Sequence, residues 1–169
     1  MKWLTLIAAL ALTGCGYHTA GKVSTLPTQI HVLAVPTFVN QTHAYRVEQV
    51  LTASVVHELT TRTTYRIVDH KDPDADATLR GDVTQTSTAP LTYDSTTGRA
   101  TSSLVTVTIN VALVDKKGKV LFSNPTYTFR EQYEISQQSA SFFNEESPAL
   151  ERLSQDVARS LVSNILEGF

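Results

Sequence analysis

The chain has 169 residues, with 14 Lys and Arg against 16 Asp and Glu, a formal net charge of −2 and five histidines. A chain of this length supplies one domain of ordinary size with one core, and a hydrophobic content of 41% excludes a disordered polymer. No Lys/Arg-rich run is present, so the electrostatic footprint of a nucleic-acid partner is missing.

Lys2 precedes a short apolar run, residues 3–12, and Leu12-Thr13-Gly14-Cys15 follows. A charged start, a short apolar core and small residues before a cut site form the layout of an export signal. The run is about half the ~20 residues that span a bilayer. Leu-Thr-Gly-Cys resembles a bacterial lipobox, which makes residues 1–14 a removable signal and Cys15 the lipid anchor. Cys15 is the single cysteine of the chain. A lone exported thiol calls for modification or intermolecular pairing, and with Cys15 lipidated no disulfide can form. Stable anchoring takes more than one acyl chain; the covalent lipid on Cys15 is the only attached group expected, and no cofactor is. Residues 15–28, small and polar up to Leu26-Pro27, read as a tether, and residues 29–169 as a single domain. Gly16 stands where an aspartate would hold a lipoprotein at the inner membrane, so the outer membrane, on its periplasmic face, is the expected location.

Within the domain, residues 30–35 form an apolar run stopped by Pro36, which suits a buried strand. Asn40-Gln41-Thr42 offers turn and N-cap chemistry ahead of a helix over 45–60, whose apolar face is Val47, Val50, Leu51, Val55 and Leu59. Residues 65–68 read as the next strand. Strand, helix and strand of these lengths predict a right-handed parallel crossover. A loop over 69–77 leads to a strand opened by Leu79, Gly81 and Val83 and continuing toward Pro90, and residues 93–101 read as a turn or exposed loop. Over 104–115, Val105, Val107, Ile109, Val111 and Leu113 alternate with Thr106, Thr108 and Asn110, the pattern of a half-buried strand. Lys116-Lys117-Gly118-Lys119 closes a hairpin onto a return strand that breaks at Asn124-Pro125 and resumes through Tyr127, Phe129, Tyr133 and Ile135. The last helix begins at Ser147-Pro148 and presents Leu150, Leu153, Val157, Leu161 and Ile165, with Gly168 beyond its end. The order predicts an α+β fold, two helices packed on one face of a mixed, mainly antiparallel sheet.

Catalytic chemistry is poorly represented. There is no Gly-rich phosphate loop, Gly-x-Ser-x-Gly elbow or His-Glu-x-x-His motif, and His18, His31, His43, His57 and His70 have no metal-ligand spacing. Asp72, Asp74 and Asp76 open like a calcium loop, but Ala77 and Val83 occupy the positions that need glycine and glutamate. Neither an enzyme nor a metal site is expected. Two readings of the cationic turns stay open. Arg99, Lys116, Lys117 and Lys119 either keep the sheet ends solvated or form a rim for phosphate or carboxylate groups. The threonines at 84, 86, 88, 106, 108, 126 and 128 give a polar, weakly charged sheet surface that suits a wet lumen or bulk solvent equally.

Taken in order, Gly14-Cys15-Gly16-Tyr17-His18, Leu26-Pro27, Val35-Pro36-Thr37-Phe38-Val39-Asn40-Gln41-Thr42, Ala75-Asp76-Ala77-Thr78-Leu79-Arg80-Gly81, Gly98-Arg99-Ala100-Thr101 and Arg130-Glu131-Gln132-Tyr133 resemble the LptE-type lipopolysaccharide-assembly lipoproteins. The resemblance implies an outer-membrane lipoprotein seated as a plug inside the LptD β-barrel, assisting lipopolysaccharide delivery and touching it through basic residues. Only the Gly98-Arg99 loop matches that contact; residues 137–146 carry Glu145 and Glu146 and no Lys or Arg. The opening strand and helix also resemble periplasmic lipoproteins of curli-export-type secretion channels, which implies a homo-oligomeric ring instead.

Overall fold

The computed structural model describes residues 30–135 and 146–167. The signal, Cys15, the tether, most of the 137–146 loop and Gly168 lie outside them. Among the described residues, six strands and two helices follow one another as β1 (Val32–Ala34), β2 (Val39–Asn40), α1 (Val47–Arg62), β3 (Arg66–Val68), β4 (Ala77–Tyr93), β5 (Ala100–Asp115), β6 (Val120–Glu134) and α2 (Glu146–Glu167). The sheet order is β3-β1-β4-β5-β6, with β2 paired separately to β4. β1 runs parallel to β3 and β4, and β2 parallel to β4, whereas β4, β5 and β6 are antiparallel. This is the expected α+β arrangement, with an open sheet.

The periodicities explain the layers. Val47, Leu51, Val55 and Leu59 recur every four residues along α1 and are buried; Val50 is half-buried. Leu153, Val157, Leu161 and Ile165 do the same on α2. Both stripes meet the inward residues of the long strands, Leu79 and Val83 of β4 and Val105, Val107, Ile109, Val111 and Leu113 of β5, in one core. Arg62 ties the helices together, donating to Ser163 Oγ at 2.7 Å while lying 3.5 Å from Glu58. Tyr127 of β6 reaches α2 through Ser160 (2.7 Å) and Asn164.

Three local expectations need correction. The Asn40 side chain does not cap α1. Its oxygen accepts the Thr42 N–H and its amide donates to the Ala44 carbonyl (2.8 Å each) and to Glu48 (2.9 Å). These bonds build a turn, after which the helix opens at Arg46, a non-glycine residue at φ 57 with no side-chain cap. The break expected at Asn124-Pro125 is a β-bulge inside a continuous β6: Ile109 faces Tyr127, while Val111 already faces Asn124. Proline has no N–H for the ladder, and a bulge removes the need for one. α2 begins at Glu146, one residue before the expected Ser147 cap, with Pro148 in its first turn.

Candidate functional site

The Arg99 turn is built by Asp94. Its Oδ1 accepts the N–H groups of Thr96 (3.0 Å) and Thr97 (2.6 Å) and the Thr97 hydroxyl (2.9 Å), an Asx turn. The Thr97 N–H, foremost among these bonds, holds the Asp94 carboxyl below the usual carboxylate range. Gly98 sits at φ 67, a conformation that glycine adopts without a Cβ penalty. The turn presents Arg99 to solvent, and Leu91 and Tyr93, 46% and 61% exposed, lie just before it.

The lysine turn repeats this chemistry. Asp115 Oδ1 accepts the N–H groups of Lys117 (2.8 Å) and Lys119 (2.9 Å), and Gly118 adopts φ 84. Lys117 and Lys119 are exposed. Lys116 is engaged within the fold: its Nζ lies 3.4 Å from Asp76 Oδ1, and its N–H donates to the Asp76 carbonyl at 2.9 Å. Asp76 Oδ2 in turn accepts the His31 and Val32 N–H groups at 2.9 and 3.1 Å. These two backbone donors, the His31 N–H first and ahead of Lys116, keep the Asp76 carboxyl below its ordinary value. One carboxylate thus joins the first strand to the β5–β6 hairpin.

Arg99 precedes β5 and Lys116 follows it, so all 16 residues of β5 separate the two turns, roughly 50 Å at the rise of an extended strand. The four cations that sequence reading placed on one rim occupy two tips at opposite ends of the sheet.

The face of the long strands turned away from the helices is polar and nearly neutral. In register across it lie Gln85, Ser87 and Ala89 of β4, Thr108, Thr106 and Leu104 of β5, and Thr128, Arg130 and Gln132 of β6. Thr108 and Thr128 share a hydroxyl hydrogen bond of 3.0 Å. Thr86 and Thr88 do not belong to this face. A bulge between Val83 and Gln85 advances β4 by one residue, which sets Thr86 opposite Val107 and Thr88 opposite Val105 on the helix side. Thr88 is exposed even there.

Several motif residues turn out to be architectural. A Cβ on Gly81 would stand 2.6 Å from the Phe38 ring, so the glycine opens the slot that the buried Phe38 fills. The Phe38 N–H donates to Thr52 Oγ1 at 3.0 Å. Glu131 pairs with Arg152 of α2 at 2.8 Å. Sequence reading missed the Phe38–Gly81 and Asp76 contacts because each spans about forty residues; the glycine inside a strand was the one available signal. Asp72, of the acidic run, accepts the Asp74 N–H at 2.9 Å, and no metal-binding group of three His, Cys, Asp or Glu occurs among the described residues. A groove of about 580 Å³ between the helices, lined in part by Ala53, His57, Glu58, Ala158 and Arg159, is open and of mixed polarity.

The family described as LptE, lipopolysaccharide-assembly, matches residues 30–165, most of the chain. The chain belongs to this family. Its fold is similar to that of rare lipoprotein B from Shewanella oneidensis, with TM-score 0.54 and 15% identity over 79% of this chain and 95% of that one. Lipoprotein B of Nitrosomonas europaea gives TM-score 0.57 and 13% identity over 85% and 90%. A minor lipoprotein of Acinetobacter baumannii gives 0.54 and 18% over 82% and 94%. No curated protein matches the sequence. Membership in the LptE family makes this a lipopolysaccharide-assembly domain, and the structural likeness fixes its fold.

Proposed function

We propose that the protein is an outer-membrane lipoprotein, anchored through lipid on Cys15, whose domain plugs an LptD-type β-barrel and assists lipopolysaccharide delivery through it without catalysing a reaction. Family membership over residues 30–165 carries this reading. The uncovered sheet face supports it physically. Gln85, Ser87, Thr106, Thr108, Thr128 and Gln132 offer hydrogen bonds without charge, a surface compatible with a wet polar lumen. Anchoring raises the effective concentration of the domain near a partner in the same membrane.

Lipopolysaccharide is an anion-rich amphiphile, and the two tips are its candidate contacts. Arg99 is the stronger one, a bidentate donor held on an ordered turn beside the exposed Leu91 and Tyr93. Lys117 and Lys119 form the second tip, with Lys116 paired to Asp76.

Purification of the tagged, lipidated chain from detergent-solubilised outer membranes should bring down a near-stoichiometric large β-barrel. A homo-oligomeric ring without a barrel would overturn the proposal. Arg99→Gln should weaken lipopolysaccharide binding about three- to tenfold at low salt, the scale of one exposed charge contact, with the loss shrinking as salt rises. Replacing Lys117 and Lys119 together should act independently of Arg99. Unchanged affinity in all three substitutions would remove both tips as contacts.

A further inference from the structure

Among the described residues, β3, β6 and the far part of β4 each leave one side without a strand neighbour, and the first two of these edges are guarded. β3 is only three residues long and is followed by Asp69, His70 and Lys71. β6 carries Arg130, Glu131 and Glu134, a proline bulge and the tie from Glu131 to Arg152. Short length, charge, proline and bulges are the devices that stop an edge from pairing with other chains. The third edge belongs to β4. β1 lies beside it at Ala77 and Thr78 and β2 at Asp82 and Val83, and the last bond on that side is the Gln41 N–H to the Val83 carbonyl at 2.9 Å. Beyond that point residues 84–93 have no strand partner on this side among the described residues.

Residues 83–93 contain no Asp, Glu, Lys or Arg. The bulge at Thr84 opens this stretch and Pro90 closes it; the six residues from 84 to 89 span about 20 Å of strand, which is the length of a common β-strand. Pro90 also fixes the phase of the ladder. It is in register with Ser103 and lacks an N–H, so its nitrogen faces away from β5. Successive residues alternate, and the unbroken register from Thr86↔Val107 to Pro90↔Ser103 therefore aims the N–H and C=O groups of Thr86 and Thr88 at the open side as well. The vacant lane continues the line of β1 and β2, which the chain leaves at Gln41 to enter α1.

We propose that residues 84–89 of β4 are a strand-addition site, paired backbone to backbone with an extended, uncharged segment of the barrel protein; this rests on the barrel-seated reading above. The chemistry selects that occupant. Thr84, Gln85, Thr86, Ser87 and Thr88 offer hydroxyl and amide partners and no counter-ion, so a charged segment would lose solvation without compensation. A neutral Ser, Thr, Asn, Gln or Gly-rich strand loses nothing.

The test uses the full lipidated chain co-expressed with its barrel. Thr88→Pro removes one outward N–H and leaves the β4–β5 ladder bonds in place, so barrel recovery should fall about tenfold, the scale of one or two lost backbone hydrogen bonds. Thr88→Val keeps the backbone and should recover the barrel as the parent does. A photo-crosslinking residue at Ser87, in an otherwise unaltered chain, should crosslink to the barrel and so gives an answer even if Thr88→Pro fails to fold. Undiminished recovery with folded Thr88→Pro, or Ser87 crosslinks to a second copy of this chain, overturns strand addition. A parent chain that recovers no barrel overturns the barrel-seated reading and this proposal together, whereas barrel recovery without a Ser87 crosslink overturns strand addition alone.

Discussion

The first seven residues of β4 and its last ten belong to one continuous strand and have opposite fates. From Ala77 to Val83 every second side chain is buried, β1 and β2 cover the outer edge, and Gly81 makes room for Phe38. From Thr84 onward none is fully buried and the outer edge has no strand partner among the described residues. The change falls at the bulge between Val83 and Gln85. One strand thus serves two purposes, with its first part holding the domain together and its second extending the sheet beyond the reach of the helices. Where backbone is left exposed without charge, the contact it offers is to another chain.

The sharpest way to break this comparison is to truncate one side chain in each half. Leu79→Ala empties a fully buried site and should cost about 2–5 kcal/mol, while Thr88→Ala should stay within about 0.5 kcal/mol. Chemical denaturation midpoints read both, and equal effects would end the distinction. Gly81→Ala comes next. Its new Cβ meets the Phe38 ring, and overpacking of this kind costs about 1–3 kcal/mol; Phe38→Leu in the same chain should return part of the loss in melting temperature.

The smallest expected effect concerns Asp76. Its folded-state pKa lies below the ordinary 3.8, so its contribution to stability is fully present above that value and is lost as the pH falls through the folded pKa. Asp76→Asn should therefore lower the melting temperature at pH 7, and the gap from the parent should narrow as the solution is acidified below the ordinary carboxylate range. A gap that stays constant with pH would mean that Asp76 acts through shape alone.

Much of this was legible in the chain. The alternation from Val105 to Leu113 set the inner face of β5, and the four-residue spacing of Val47, Leu51, Val55 and Leu59 set the buried face of α1. Gly98 and Gly118 marked the two tight turns. The cationic residues were visible as types, but their grouping was not, because sequence proximity to one strand does not say which end of it a residue occupies until the hairpins are closed.

Local periodicity, turn chemistry and composition are properties of neighbouring residues, so the sequence by itself determined every described element except the two-residue β2, the α+β class and the polar character of the outer sheet face. Register is a property of pairing between distant segments. Only the tertiary structure decided that a bulge moves Thr86 and Thr88 to the helix side, that Phe38 rests on Gly81, that Lys116 is bound to Asp76, and that β1 and β2 stop short of the far half of β4. Each of these is selected by the fit of surfaces that become neighbours only when the core closes, and no short window of residues contains both partners.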